Sequence, residues 1–165
     1  MKKQLLIILL ILGVVLVQAQ NKQQVLDYLY SISGQKIIAG QHNKEPNAEP
    51  AKWTNYIKET TGKYPGLWSG DFLFQQENID NRWKMIKEAE SQWNSGALIN
   101  LMWHGCPPDM GETCGWDPGL LNAQLDDQQW EELITKGTEL NTIWKKRMDD
   151  VVVYLQYLED KGVVV

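Results

Sequence analysis

Apolar positions recur along this chain in two ways, at three-to-four-residue spacing in some segments and as short unbroken runs in others, the signatures of helices and of buried strands. In "VLDYLYSI", Val25, Leu26, Leu29 and Ile32 share one helical face, and Ser33-Gly34 ends it. "KIIAGQH" is a β-branched run that stops at Gly40-Gln41-His42. Pro50 is placed for a helix's first turn, Trp53, Tyr56, Ile57 and Thr60 carry the face, and Gly62 closes it. "PGLWSGDF" reads as a second strand ending at Gly70-Asp71-Phe72, followed by a helical stripe of Ile79, Trp83, Ile86, Ala89 and Trp93. "GALINLMWH" is a third strand, closed by His104, and a long loop runs to about Gln124. Asp126 and Gln129 form a capping-box pattern ahead of Trp130 and Leu133. The strongest helix starts at Thr138 and carries Leu140, Ile143, Trp144, Met148, Val151, Leu155 and Leu158. Gly162 stops it, and Val163-Val164-Val165 begins a further strand.

Strands alternating with helices, each strand a short apolar run, predict an α/β fold with a parallel sheet covered by helices. An open doubly wound sheet and a (β/α)8 barrel both fit this pattern. No G-x-G-x-x-G follows the first strand, so a dinucleotide reading fails and no cofactor is called for. A whole barrel needs about 250 residues. The expectation is therefore the amino-terminal portion of a TIM barrel: about three strands with their helices, plus the start of strand four. No repeat, low-complexity tract or linker divides residues 21–165.

The first twenty residues stand apart. Lys2 and Lys3, an apolar run from Leu5 to Val17 and Ala19 at a cleavage position make residues 1–20 a signal peptide. The run is short for a bilayer span of about 20 residues, and no cysteine follows it for lipidation, so no stable membrane anchor is expected. The protein is expected to be secreted or periplasmic. The chain holds 16 Lys and Arg against 21 Asp and Glu, a net charge of −5 that cleavage makes more negative. Such a chain, without a basic cluster, is poorly suited to phosphate backbones, which excludes nucleic acid as a partner. The two cysteines, Cys106 and Cys114, lie in one Gly/Pro-rich segment and, in an oxidising compartment, are disulfide candidates bracing that loop. A metal site from His104, Cys106 and Cys114 lacks a fourth ligand and paired zinc spacing, so no metal is expected.

Candidate chemistry gathers at the strand ends. In parallel α/β folds functional groups collect where strands finish, and here those ends carry Gln41-His42, Gly70-Asp71-Phe72 and Trp103-His104. Both histidines of the chain and one carboxylate converge on one rim. Trp68, Trp103 and Trp116, three of eight tryptophans, fall at strand ends or in loops, where an aromatic face can stack on a sugar ring. A neutral polyhydroxyl ligand suits this set. Hydrolysis of a glycoside needs two carboxyl groups, and Asp71 is the only strand-end carboxylate; Glu77, Glu112 and Asp117 are loop acids with no assigned part.

"KIIAGQHN", "TGKYPGLWSGDF", "GALINLMWH" with its later Pro-Pro, and "GTELNTIWKKRMDDVVVYLQYLEDKGVVV", taken in that order, resemble the amino-terminal half of glycoside hydrolase family 26. Most members are secreted endo-β-1,4-mannanases. The resemblance implies a (β/α)8 barrel and retaining hydrolysis of β-mannosidic bonds in mannan, glucomannan or galactomannan. It implies that His104 contacts the sugar, with Trp103 its neighbour in the motif, Asp71 at the strand-two aspartate position and His42 in the first-strand segment near the cleft. It also implies that the acid/base glutamate, in an Arg-Pro-x-His-Glu segment ending strand four, and the strand-seven nucleophile lie beyond Val165. By that reading this chain alone is inactive and belongs to a longer enzyme; the alternative is a non-catalytic carbohydrate-binding remnant.

Overall fold

The computed structural model describes residues 22–43 and 47–165; the expected signal peptide lies outside them. Helix α1 covers residues 22–32. Strand β1 (Gly40–His42), α2 (Lys52–Thr61), β2 (Leu67–Asp71), α3 (Gln76–Asp80), α4 (Arg82–Asn94) and β3 (Leu98–Met102) follow, then α5 (Asp127–Ile134) and α6 (Glu139–Asp160). The sheet is parallel with order β1-β2-β3, an order shared by a barrel and by one half of a doubly wound sheet.

Two boundaries depart from the sequence reading. Pro50 sits just ahead of the N-cap residue Ala51, outside the first turn of α2. The stripe from Ile79 to Trp93 is broken at Asn81 into α3 and α4, where the Asn81 side chain donates to the Glu77 carbonyl at 2.8 Å. Competition of this kind between an Asn side chain and the helix ladder is a recurrent interruption. The Asp126/Gln129 capping box is formed in both directions, at 2.8 and 3.0 Å. Val163–Val165 forms no ladder with β3, but Val163 is buried and its N–H bonds the Leu158 carbonyl at 2.9 Å.

Side-chain alternation sorts β2 and β3 into two faces. Trp68 and Ile99 point to the helices and pack with Met85, Ile86 and Ala89 of α4 and with Val151 and Leu158 of α6. Trp68 is completely buried. Covering a ring of roughly 200 Å² at about 25 cal/mol per Å² removes on the order of 5 kcal/mol of apolar exposure. Trp68 is thus a core residue; the expectation that it could offer a face to a ligand is corrected. Gly70 must lack a side chain, because a Cβ would lie 2.8 Å from the Trp68 ring and 2.9 Å from Met85 Sδ. The opposite face carries Ser69 and Asn100, hydrogen-bonded at 3.0 Å, and Asp71 at the end of β2. Among the described residues no helix is long and apolar enough to cross a membrane.

Candidate functional site

Register brings the site together. Asp71 lies opposite Met102, and the Phe72 N–H continues the pairing to the Met102 carbonyl at 2.8 Å. His104, two residues past Met102, returns to the face that carries Asp71. Its Nδ1 is 2.7 Å from Asp71 Oδ2. A carboxylate only accepts, so Nδ1 holds the proton and Nε2 is left as the working nitrogen of the ring. His42, ending β1, places Nε2 3.9 Å from the same oxygen. One carboxylate oxygen is therefore approached by imidazoles from both neighbouring strands. Asp71 is 2 % exposed, and its other oxygen, Oδ1, is buried with no hydrogen-bond partner among the described residues. A buried carboxylate oxygen is costly unless a donor satisfies it.

Three asparagines hold this arrangement from below. Asn47, fully buried, donates to the Asp71 carbonyl at 2.9 Å and accepts from Asn43 at 2.9 Å. Its own N–H bonds Asn78 Oδ1 at 2.8 Å. The Asn43 N–H in turn bonds the Ser69 carbonyl at 2.7 Å. The segment after β1 is thereby tied to the end of β2 and the start of α3. Periodicity could not reveal these residues, since isolated asparagines between elements read as turn formers.

The loop after β3 supplies the aromatic wall. Trp116 meets His104 edge-on at 5.2 Å and Phe74 at 4.8 Å, and is 37 % exposed. Trp103 goes the other way: it stacks on Trp144 of α6 at 5.4 Å and 20° and packs against the core. The structure thus unites His42, Asp71 and His104, and sends Trp103 to the helix layer behind them. Cys106 and Cys114 are joined as a disulfide. Arg147 of α6 donates to the Cys106 and Pro107 carbonyls, both at 2.5 Å, and to the Met110 carbonyl. Arg82 does the same at the end of β2, reaching the Phe72 and Leu73 carbonyls at 3.3 and 3.1 Å. Burial pushes both guanidinium pKa values down, partly offset for Arg82 by Tyr154, Glu112 and Asp150 and for Arg147 by Glu112 and Asp109. Both remain cations at neutral pH. No cluster of three or more His, Cys, Asp or Glu suited to a metal occurs among the described residues.

Residues 15–165 match the profile described as glycosyl hydrolase family 26. A mannan endo-1,4-beta-mannosidase of Thermothelomyces thermophilus is 28 % identical over 146 residues, 84 % of this chain and 29 % of that protein. The structure of GH26A from Muricauda sp. MAR_2010_75 superposes with a TM-score of 0.75 at 32 % identity, covering 87 % of this chain and 45 % of that one. A β-mannanase from a symbiotic protist of the termite Reticulitermes speratus, complexed with gluco-manno-oligosaccharide, gives a TM-score of 0.69 at 20 % identity. That last likeness concerns the fold alone; it covers 88 % of this chain and 47 % of the other. The chain spans under a third of the curated relative and under half of the solved chains.

Proposed function

The chain belongs to glycosyl hydrolase family 26, an α/β chain corresponding to the amino-terminal part of that barrel, and we propose that it is the sugar-recognising front of an exported hydrolase of β-1,4-mannosidic bonds. The substrates are mannan, glucomannan or galactomannan, and the mechanism is retaining. His104, Asp71 and His42 are the sugar contacts, Trp116 is a stacking wall, and Trp103 braces the segment that carries His104.

One observation carries this reading: Asp71 anchors His104 through Nδ1 at 2.7 Å while keeping Oδ1 unpartnered among the described residues. A neutral ligand rich in hydroxyl donors satisfies such an oxygen without adding buried charge. The curated relative named as a mannan endo-1,4-beta-mannosidase supports the substrate class. Glycoside hydrolysis requires two carboxyl groups, whereas the ends of β1, β2 and β3 supply only Asp71. The acid/base and the nucleophile accordingly belong to a longer product, and residues 21–165 by themselves bind sugar without cleaving it. Residues 1–20 direct export and are removed.

The test is hydrolysis of mannan by the complete gene product and by its His104→Ala variant. Loss of a hydrogen bond from a charged or polarised group made at the transition state lowers kcat/KM by roughly ten- to a hundredfold. Unchanged hydrolysis would remove His104 from the site, and no hydrolysis by the complete product would remove the function.

A further inference from the structure

Helices α4 and α6 pack against each other, and they meet along an aromatic seam. From α4 come Trp83, Lys87 and Glu90, at i, i+4 and i+7 on one helical face. From α6 come Tyr154 and Tyr157. Trp83 belongs to the apolar stripe read from the sequence, yet 47 % of it is exposed. It lies 4.8 Å from Tyr154 at 59° and 5.5 Å from Tyr157 at 87°. Tyr154 in turn meets the buried Phe72 at 5.5 Å, which ties the seam to the core. Neither tyrosine lies nearly parallel to the indole, as Trp144 does to Trp103.

Polar groups continue the seam beyond the indole. The Tyr157 hydroxyl donates to Glu90 Oε2 at 2.5 Å and accepts from Lys87, whose Nζ is 3.7 Å from the same oxygen. An ammonium has three donors and a carboxylate two oxygens, and both side chains reach solvent, so each keeps capacity for a ligand. Trp83 to Glu90 spans about 10 Å along α4, longer than one pyranose ring. An open indole followed by donors and acceptors along a line fits a chain of sugar rings. The C–H face of one ring meets the electron-rich indole, and hydroxyls of the next meet the carboxylate and ammonium. A protein partner fits less well. Stable interfaces cover about 800 Å² a side around an apolar centre, whereas a single indole between two tyrosines is edged here by charges. Because α4 follows β2 and α6 follows β3, a helix over any further strand flanks this pair and does not enter the seam.

We propose that the seam is a second polysaccharide-binding site, separate from the rim that carries His104, which holds β-1,4-linked mannan chains on the outer helix layer. It rests on the substrate class proposed above and adds retention, not chemistry. One platform binds weakly, but a chain held there presents its other residues to the rim at a raised local concentration.

The probe is soluble galactomannan cast into native gels, with the complete gene product as the protein. In the His104→Ala background, which weakens the rim, retardation should persist, and adding Trp83→Ala should weaken it about tenfold or more. Trp83→Leu keeps an apolar contact with both tyrosines but offers no flat ring. It should behave alike and covers the case of an alanine variant that does not fold. With His104 intact, Trp83→Ala should slow hydrolysis of insoluble mannan and leave that of mannotetraose at the parent rate, since a short soluble substrate gains nothing from a tether. Retardation unchanged in a folded Trp83 variant overturns the seam and leaves the hydrolase reading standing if mannan is still cleaved. A product that neither cleaves mannan nor is retarded removes both. A fall in sedimenting mass on Trp83→Ala would assign the seam to a second copy of the chain and refute the sugar site.

Discussion

Replacing Asn47 tests whether the asparagine network is what holds the end of β2. Asn47→Ala removes the donor to the Asp71 carbonyl and the acceptor of the Asn43 amide, both buried. Stranding two buried polar groups at about 1–3 kcal/mol each predicts a loss of about 2–6 kcal/mol. Asn47→Asp keeps the shape but turns the donor into a second acceptor, aimed at a carbonyl 2.9 Å away. It also buries a charge beside Asp71, so at pH 7.5 it should be the worse substitution by at least about 1 kcal/mol. The new carboxyl binds its proton more tightly folded than unfolded, because only the protonated form can donate to the Asp71 carbonyl. Stability gained that way is present at low pH and lost as pH rises, so the gap to Asn47→Ala should narrow near pH 4.5. Urea unfolding at both pH values, compared through midpoints at a common slope, reads these differences. Asn47→Asp no worse than Asn47→Ala at pH 7.5, or a gap that ignores pH, would show that the network does not work as described.

Three other substitutions probe separate parts of the molecule. Gly105→Ala would put a methyl 2.7 Å from the Trp103 ring, which Trp144 backs; a cost of about 1–3 kcal/mol in urea is expected, and unaltered stability would mean that the stack yields. Arg147→Met should cost about 2 kcal/mol, its three lost bonds partly offset by relief of guanidinium burial; faster amide exchange over residues 106–116 checks it, and unchanged exchange refutes the clamp. The Glu90 carboxyl is held below its usual range first by the hydrogen bond from Tyr157, at 2.5 Å, and then by the Lys87 charge. Such depression stabilises the fold above the ordinary carboxylate range and fades as pH falls through it. Tyr157→Phe should therefore move Glu90 titration upward in carbon-13 resonance spectra; a titration that stays put would assign the depression to Lys87.

The sequence carried the helices and strands because each buries a face whose period is readable. Burial of Leu140, Val151 and Leu158 on α6 follows directly from that rule, as does that of Val163, although Leu155 of the expected stripe is exposed and residues 163–165 form no strand. It carried the trio His42, Asp71 and His104 because strand ends in parallel sheets fall on one rim. What it could not carry was direction. Trp68 and Trp103 both border strand ends, and pleat parity turns both to the helix side, one into the core and the other onto Trp144. The supporting residues were hidden for a different reason. Arg147 reads as one more polar position on a long helix, and its partners are backbone carbonyls some forty residues away. Asn43, Asn47 and Asn78 likewise act through the main chain, which leaves no trace in side-chain pattern.

The bond between His104 Nδ1 and Asp71 Oδ2 spans two strands whose alignment fixes Asp71 against Met102. A slip of one residue would turn every β3 side chain to the other face and separate the pair. The imidazole proton is thus a built-in witness of correct strand alignment during refolding. Its slow-exchanging, downfield resonance should emerge only when β2 and β3 have docked in register. A chain with all its helices formed but its strands misaligned would remain silent at that frequency.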